Sequence, residues 1–582
     1  MHCAKKSGIA RVTGLSGTLA IGASGGALVN KISITAIWIF IASVPMLVAC
    51  SEIPSADHSV AEYAPDIDGN AVQAHVALLA DDLYEGREAG KRGYQLAAKY
   101  VATQFRIMGL APGNDASYFQ SVPFQVAKIV KGSRTLTVSS ASGDRHYETF
   151  SDYTIRPTLA GEEVSITAPL VFVGYGVNVP SIERNDYENV DLNGKIAVVV
   201  SGAPAALGSE VRAYYRSGRY HKSIELENRG AIGVISLQHK QISSDAANVR
   251  GSKADKYWTI DEHGHPNYAF AGLKTAVSLL EKGARKLFED SPISFDDMAA
   301  SIEDESYTPM DLGISATVSH RISQRMTSAD NVIAILEGSD PQLKDEYVVL
   351  SAHLDGVGMG DESDDNIYNG YFDNASGIGT MLEVARALVR SPTRPKRSIL
   401  FIATAGEEKG LLGADYFAAN PTVAIESIVA NVNMDMVMFL WRAQDVVAFG
   451  AEHSTLIDIV RHATEKLGVE LSPDPFPERG YFTRSDQFPF VQQGIPAIFF
   501  ATGFKTGEPG VEPEALYNDF MQNHYHGATD DENLRFDTWS AGRVATANYM
   551  ITLEIANAEQ RPKWQKDDFF GDLYGTELTR SE

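Results

Sequence analysis

The last third of the chain alternates between short apolar runs and polar segments that contain glycine. Apolar and β-branched runs begin at Tyr347, Ser398 and Ile428, and their length and composition predict buried strands. Between the first two runs, apolar side chains recur on one face from Ile378 to Leu388 with the spacing of a helix. Strands and helices in this arrangement indicate an α/β fold.

A residue that can bind a metal ion lies at one end of each of these elements. His353, Glu408 and Asp435 follow the three predicted strands, Asp373 lies at the entrance of the predicted helix, and His526 lies in a polar loop before the last helix. Open α/β sheets place their sites outside the carboxyl ends of the strands. We therefore expect these five side chains to converge.

The charges of the five residues suit a pair of divalent metal ions. Two dications, three carboxylates and a bridging hydroxide sum to a nearly neutral cluster, whose burial is tolerable. Glu407 adjoins Glu408, and the alternation of side chains along a strand directs the two carboxylates differently. One of them can bind metal while the other acts as a base. Singly, these signals have ordinary explanations, such as a surface His-x-Asp pair or two solvated glutamates; their joint occurrence in one order favours the metal centre.

Short motifs around these residues occur in an order that resembles the co-catalytic dizinc exopeptidases, the family of bacterial leucyl-type aminopeptidases and glutamate carboxypeptidase II. The motifs are His353-Leu-Asp355, Asp373-Asn-Ala-Ser-Gly377, Gly406-Glu-Glu408, Asn433-Met-Asp435 and Tyr525-His-Gly-Ala-Thr-Asp530. The segment from Leu79 through Gly86-Arg87 to Leu110 also resembles the opening of that family. Gly356 stands where many relatives have His, which bears on the subfamily.

The resemblance implies a role for each motif residue. Two Zn²⁺ ions, with Co²⁺ or Mn²⁺ as possible substitutes, would share five protein ligands: His353 and Asp435 for one ion, Glu408 and His526 for the other, and Asp373 for both. Asp355 would orient His353, and Glu407 would be the general base. The peptide bond between Asp373 and Asn374 is expected to be cis, as is common in the family.

The resemblance also implies a fold and an activity. The expected fold is the zinc-dependent exopeptidase fold, an α/β fold with a mixed central sheet sandwiched by helices. The expected activity is that of a metallo-aminopeptidase, in which a metal-bridging hydroxide attacks the peptide and Glu407 moves the proton. Three alternatives remain: a carboxypeptidase of the same family, which needs a cationic pocket; a glutaminyl cyclase, which normally holds one zinc; and a non-catalytic binding protein.

Two residues are candidates for contact with substrate. Tyr525 adjoins His526 and would donate to the carbonyl oxygen of the substrate, or else it is a packed loop residue. Arg484 would reach the substrate or would only pair with Asp486, and we favour the pairing. His524 is an alternative ligand to His526, but the Tyr-His-x-x-x-Asp frame favours His526.

A β-rich segment interrupts the predicted peptidase domain. We predict the peptidase domain over residues 66–160 and 325–557, with a C-terminal tail over 558–582 that packs on the surface or frays. Residues 161–324 contain glycine-bounded apolar runs and resemble a protease-associated (PA) domain, an insert that many of these peptidases carry. This insert would cover the cleft or serve as structural support.

The N-terminal segment predicts export. Lys31 precedes an apolar run, Ile32 to Ala49, that ends in Leu47-Val-Ala-Cys50 and resembles the lipobox of bacterial lipoproteins. We predict a signal peptide over 1–49, lipidation of Cys50, a tether over 50–65, and a periplasmic or cell-surface enzyme anchored to the membrane by lipid. The alternative is an uncleaved membrane anchor.

Composition limits the remaining possibilities. The chain has 582 residues, 44% of them hydrophobic, which is ample for more than one packed domain. A formal net charge of −25 disfavours nucleic acid as a partner and suits an enzyme that acts on peptides. Cys3 and Cys50 are the two cysteines, so disulfides and thiolate ligands are excluded beyond residue 50. An acidic run at 361–365 is predicted to be a solvated loop.

Overall fold

The computed structural model describes residues 65–217, 220–237, 249, 251–360 and 366–581. The predicted signal peptide, Cys50, the tether up to residue 64 and the acidic run at 361–365 lie outside the described residues. Within the described ranges, no helix is both long enough and apolar enough to cross a membrane.

Among the strands of the described residues, one long strand pairs with five of the others. In chain order they are β1 Ala111–Pro112, β2 Phe119–Ile129, β3 Thr135–Ser140, β4 Gly143–His146, β5 Tyr153–Arg156, β6 Glu163–Phe172, β7 Asn178–Val179, β8 Arg184–Asn185, β9 Ile196–Val200, β10 Gly233–Leu237, β11 Lys256–Thr259, β12 Thr275–Leu279, β13 Met310–Leu336, β14 Tyr347–His353, β15 Gly358–Met359, β16 Ile367–Tyr368, β17 Ser398–Thr404, β18 Ile428–Asn433, β19 Asp445–Phe449, β20 Glu470–Ser472 and β21 Ala497–Thr502.

Helices of the described residues lie between these strands and at both ends. In chain order they are α1 Gly69–Leu79, α2 Arg92–Met108, α3 Ser209–Ser217, α4 His221–Asn228, α5 Glu281–Phe288, α6 Phe295–Glu303, α7 Ser376–Arg390, α8 Leu412–Ala419, α9 Leu456–Leu467, α10 Phe488–Gln492, α11 Pro513–Asn523, α12 Thr538–Asn557 and α13 Phe569–Tyr574.

A mixed sheet forms the centre of the peptidase part, so the predicted fold class is confirmed. β14 pairs in parallel with β17 and β18, β18 pairs in parallel with β21, and β13 and β19 pair antiparallel to β17 and β21. Alternate side chains of β17 face opposite ways: Ile399 and Phe401 pack with α1, α2, α7 and α12, whereas Leu400 and Ile402 pack with α8 and α10. Helices therefore cover both faces of the sheet.

β13 links this sheet to a second one. Its residues 315–321 pair with β3 and β6 in the second sheet, and from Ile322 onward it pairs with β2 in the first. The second sheet also contains β4, β5, β9, β10 and β12. Its strands begin at Thr135, so the boundary predicted at residue 161 is too late. β11 of the predicted insert pairs with β2 and therefore belongs to the first sheet.

The C-terminal segment packs into the protein, and the prediction that it packs on the surface or frays is wrong. Trp564 and Phe570 are fully buried, and the Trp564 indole donates to the carbonyl oxygen of Gly494 at 2.9 Å. Large aromatic side chains find more apolar contact in such a position than on the surface. The acidic residues of the segment had suggested a solvated tail.

Candidate metal centre

Parallel strand register brings the predicted ligands to one edge of the central sheet. His353, the last residue of β14, lies beside Thr404 of β17, and Ser351 lies beside Asn433 of β18. Glu408 follows β17 after a turn at Gly406, whose φ of +74° favours glycine. Asp435 comes two residues after β18. The carboxyl ends of the three strands thus point their acids and imidazole into the same space.

Two groups of metal-ligand-type side chains share Asp373. His353 Nε2 lies 3.1 Å from Asp435 Oδ1 and 3.3 Å from Asp373 Oδ1. His526 Nε2 lies 3.1 Å from Glu408 Oε2 and 3.2 Å from Asp373 Oδ2. Each oxygen of Asp373 therefore faces a different histidine. The peptide bond that follows Asp373 is cis, as the resemblance implies.

Asp355 holds both the first histidine and the pair of glutamates. Its backbone carbonyl oxygen lies 3.1 Å from His353 Nδ1, which leaves Nε2 directed at the acids. Its carboxylate accepts hydrogen bonds from the backbone N–H groups of Glu407 at 3.0 Å and Glu408 at 3.3 Å. Asp355 is fully buried, and burial raises its pKa to about 6. Asp355 thus fixes the relative positions of three site residues through its carbonyl oxygen and its carboxylate.

Further polar residues at this edge were not assigned a role from the sequence. Ser485 donates to Asp435 Oδ2 at 2.5 Å, and Asp530 accepts from the N–H groups of Phe372 and Asp373 at 2.9 and 3.0 Å. Burial raises the pKa of Asp530 to about 7. Asp530 ends the last quoted motif and Ser485 adjoins Arg484, so their proximity to candidate site residues in sequence was an available signal. They orient Asp435 and Asp373.

The pairing of Arg484 with Asp486 is wrong. Asp486 is fully buried and accepts a hydrogen bond from the Thr404 hydroxyl, whereas Arg484 is exposed and lies at the cavity beside the site. An exposed guanidinium cannot reach a carboxylate that points into the interior. Arg484 instead donates to the carbonyl oxygen of Arg479 at 3.5 Å.

The structure separates the two histidines of the last motif. His526 contacts the acids, while His524 Nδ1 lies 2.9 Å from the hydroxyl of Thr529, away from the cluster. His526 has a φ of +55°, an unfavourable conformation for a residue with a side chain and one often held at functional sites. Tyr525 stacks on its ring with 3.8 Å between centroids and also lines the cavity.

Electrostatics show that this edge is suited to positive charge. Burial opposes charging of His353 and His526, but the acids beside them outweigh burial and raise the pKa of both imidazoles well above the usual value. Burial likewise disfavours ionised Asp373, but hydrogen bonds with the two histidines lower its pKa. Two metal ions would replace those protons and let both imidazoles bind in neutral form.

The donor set fits two Zn²⁺ ions. Each group offers one imidazole nitrogen and carboxylate oxygens, which are ordinary zinc ligands. Glu408 Oε1 is buried and has no hydrogen-bond partner among the described residues, so its lone pairs are open to a cation. Glu407 belongs to neither group and lines the cavity instead.

A cavity opens beside the centre and is lined mainly by apolar side chains. Asp373, Glu407 and Asp435 form its polar side, with Arg484 and Tyr525 nearby. Its apolar lining consists of Met436, Met438, Trp441, Phe449, Phe476, Phe499, Ala501 and Phe504. A ligand in this cavity would place an apolar group beside the acids of the centre.

The part of the chain that carries the centre matches a known protein family. Residues 331–551 match the family model of Peptidase family M28. This range contains all five predicted ligands and both glutamates. The resemblance to the dizinc exopeptidases is therefore confirmed, and residues 331–551 are similar to Peptidase family M28.

The chain spans less than half the length of the first curated relatives that it matches. A "Probable zinc metalloprotease" of Pyrenophora teres f. teres (strain 0-1) is 37% identical over 106 residues, which cover 18% of this chain and 22% of that protein. "Aminopeptidase YwaD" of Bacillus subtilis (strain 168) is 24% identical over 410 residues, 70% of each chain. The solved aminopeptidase from Aneurinibacillus sp. strain AM-1 is 19% identical, with a TM-score of 0.49 over 89% of this chain and 98% of that one.

Proposed function

We propose that this protein is a zinc-dependent aminopeptidase with two Zn²⁺ ions per chain. The observation that carries the proposal is the position of Asp373, whose two carboxylate oxygens lie 3.3 and 3.2 Å from His353 and His526. Asp435 would complete the first ion's ligands and Glu408 the second's. A single zinc site would leave one of these histidine–acid pairs without a metal.

Bound zinc ions would polarise the scissile carbonyl and lower the pKa of a water molecule so that it can attack. Glu407 would accept the proton from that water and deliver it to the leaving amine. Its carboxylate lines the cavity, and its backbone N–H is held by Asp355 at 3.0 Å. Burial and the neighbouring acids raise the pKa of Glu407 well above the usual value, which suits a carboxylate that must take up a proton.

Tyr525 would donate a hydrogen bond to the substrate's carbonyl oxygen as negative charge develops there. Burial and the nearby Asp373 raise the pKa of Tyr525 well above the usual value, so its hydroxyl keeps the proton that it would donate. The apolar lining of the cavity would receive the side chain of the N-terminal residue. The acids of the centre would attract the substrate's free amine.

A carboxypeptidase of the same family is the second candidate, because Arg484 lines the cavity and a second arginine shares a hydrogen-bond acceptor with it. Arg216 of α3 and Arg484 both donate to the carbonyl oxygen of Arg479, at 3.3 and 3.5 Å. Together they could bind a substrate carboxylate. The largely apolar lining favours the aminopeptidase, since the rest of the cavity offers no further cation.

Blocked peptides distinguish these two activities. We would assay one phenylalanine-initiated tetrapeptide in free, N-acetylated and C-amidated forms, with zinc content measured on the same protein. An aminopeptidase cleaves the amidated peptide and fails on the acetylated one, because acetylation removes the charged amine. Efficient release of C-terminal residues from the acetylated peptide would establish the carboxypeptidase instead. One zinc per chain with cyclisation of N-terminal glutamine would indicate a glutaminyl cyclase.

We further propose that the enzyme is exported, with a lipid on Cys50, and that residues 161–324 include a PA-like domain that narrows access to the cavity. α3 of this segment supports the proposal about access, because it packs closely against the cavity wall: a Cβ on Gly480, beside that wall, would lie 2.1 Å from the Ala213 side chain.

The proposal of a lipid anchor is tested at Cys50. Cys50→Ser should abolish incorporation of labelled palmitate and shift the enzyme out of the membrane fraction. Unchanged membrane association would support an uncleaved anchor from Ile32 to Ala49.

A further inference from the structure

A buried arginine that precedes the ligand motifs by more than two hundred residues contacts the loops that carry two of them. Arg87 is 1% exposed and ends the 3-10 turn Asp82–Arg87. Its Nε donates to the carbonyl oxygen of Leu354 at 3.0 Å, one residue after the first histidine of the centre. Its Nη1 and Nη2 donate to the carbonyl oxygens of Asn369 and Gly370 at 2.6 and 2.9 Å. The planar guanidinium thus spans both loops.

Other contacts attach the same turn to the same loops. The Asn369 side chain donates to the carbonyl oxygen of Ala80 and to Asp82 Oδ1, both at 2.8 Å. A Cβ on Gly86 would lie 2.3 Å from the carbonyl oxygen of Gly358, and one on Gly356 would lie 2.8 Å from that of Gly86. The backbones therefore approach closely along the contact, which explains the glycine at position 356.

Arg87 differs from an ordinary buried ion-pair partner. Within the described part of the chain, its hydrogen bonds all go to backbone carbonyl oxygens, the fourth being Leu79 at 2.7 Å. Burial lowers its pKa, and the charges of Asp530, Asp373 and Asp355 oppose that effect. The guanidinium places a positive charge near the acids of the centre without occupying any of their oxygens. Those oxygens stay available to metal.

We propose that Arg87 is a positioning residue that fixes the distance between His353 and Asp373 and thereby sets the zinc affinity of the centre. This inference rests on the proposed zinc site. Each zinc needs ligands from separate loops. The rigid, planar guanidinium of arginine has several donors and holds two loops in place better than the flexible ammonium of lysine would. Outer partners of metal ligands commonly change metal affinity by about 10- to 100-fold.

Arg397 provides a matched control for the structural role of a buried arginine. It is also 1% exposed, precedes β17 at the far end of the sheet, and donates to the carbonyl oxygens of Ile555 and Ala558 and to Glu346. Arg87→Lys and Arg397→Lys each replace a guanidinium by an ammonium and keep the positive charge. We would measure zinc affinity by chelator competition, the Tm of the metal-free proteins, and kcat and KM.

Arg87→Lys is expected to lower zinc affinity at least about tenfold and to lower kcat with little change in KM, because Arg87 does not line the cavity. Arg397→Lys is expected to lower Tm and leave zinc affinity unchanged. Equal zinc affinity in Arg87→Lys and the wild type, or an equal loss in both variants, overturns the inference. If Arg87→Lys does not fold, Asn369→Ala loosens the same contact and must also weaken zinc binding.

The same measurements separate this inference from the proposed function. A wild-type protein that binds no zinc overturns both. A wild-type protein with two zinc ions, together with an Arg87→Lys variant of unchanged affinity, overturns the positioning role alone.

Discussion

Buried carboxylates around the second sheet pair with lysine or arginine, whereas those at the edge of the central sheet pair with histidine. Asp186 is 1% exposed and bonds to Arg184 at 2.7 Å and to the Tyr307 hydroxyl at 2.8 Å. Asp152 is 2% exposed and forms an ion pair with Lys282 at 3.0 Å. These acids are neutralised within the fold, as buried charges in structural positions usually are.

At the central sheet's carboxyl edge, the acids face imidazoles and each other. Asp373 and Asp435 contact His353 and His526, and no described lysine or arginine forms an ion pair with either acid. Such an arrangement is unfavourable unless positive charge comes from outside the chain. The difference between the two regions therefore identifies the site. Buried acids that pair with lysine or arginine support structure, whereas those that pair with imidazoles lie where metal ions would replace the imidazole protons.

The largest expected effect distinguishes two adjacent acids at this edge. Glu407→Gln should lower kcat by about a thousandfold and keep both zinc ions, because an amide cannot carry the proton. Glu408→Gln should instead reduce zinc content towards one ion per chain, because a neutral ligand replaces an anionic one. Metal analysis of both purified variants checks the assignment. If Glu407→Gln loses zinc and Glu408→Gln keeps two ions, the roles are reversed.

The second prediction applies one substitution to one acid of each region. Asp373→Asn should abolish binding of both zinc ions and also lower the free energy of unfolding of the metal-free protein, because His353 and His526 lose the carboxylate between them. Asp186→Asn should keep both zinc ions but lower the free energy of unfolding by about 2 kcal/mol, because Arg184 loses its partner. Urea unfolding and zinc analysis measure both effects. Loss of zinc in Asp186→Asn would remove the distinction between the regions.

Local patterns in the sequence were sufficient for the elements that carry the ligands. The apolar runs predicted β14, β17 and β18, and the helical spacing predicted α7, because each pattern reflects burial of one element against the core. The convergence of strand ends then follows from parallel pairing. The sequence alone therefore predicted which metal-ligand-type residues lie at the ends of strands.

Local sequence patterns did not predict contacts between segments that are distant in the chain. Arg87 lies in a turn, and nothing near it in sequence shows that its donors reach Leu354 and Gly370. β13 runs 27 residues without a turn signal and belongs to both sheets, so the insert boundary inside it and the early strands from Thr135 could not be placed. Arg484 and Asp486 are neighbours in sequence but point in opposite directions.

His453 lies where the two regions meet. Its Nδ1 lies 2.6 Å from Asp568 Oδ2 beside α13, and its Nε2 contacts Glu210 of α3. Burial disfavours the imidazolium, but Asp568 and Glu210 outweigh it and raise the pKa of His453 to about 10. The protonated ring therefore joins α3, the core and the C-terminal helix.

The smallest predicted effect concerns the pH dependence of this junction. A folded pKa of about 10 against an ordinary value of 6.5 means that His453 stabilises the fold fully below pH 6.5 and loses that contribution as pH rises through 10. Glu452 and Asp474 also face the cluster, and burial raises the pKa of both, that of Asp474 to about 6, so they too favour the fold at lower pH and do not reverse the sign. Between pH 7 and 10, the wild type should lose about 2 kcal/mol more of its free energy of unfolding than His453→Gln. Urea unfolding of the zinc-loaded proteins measures this difference, to which His353 and His526 contribute equally in both. Parallel pH profiles would mean that His453 is neutral in the fold and that the junction depends on packing alone.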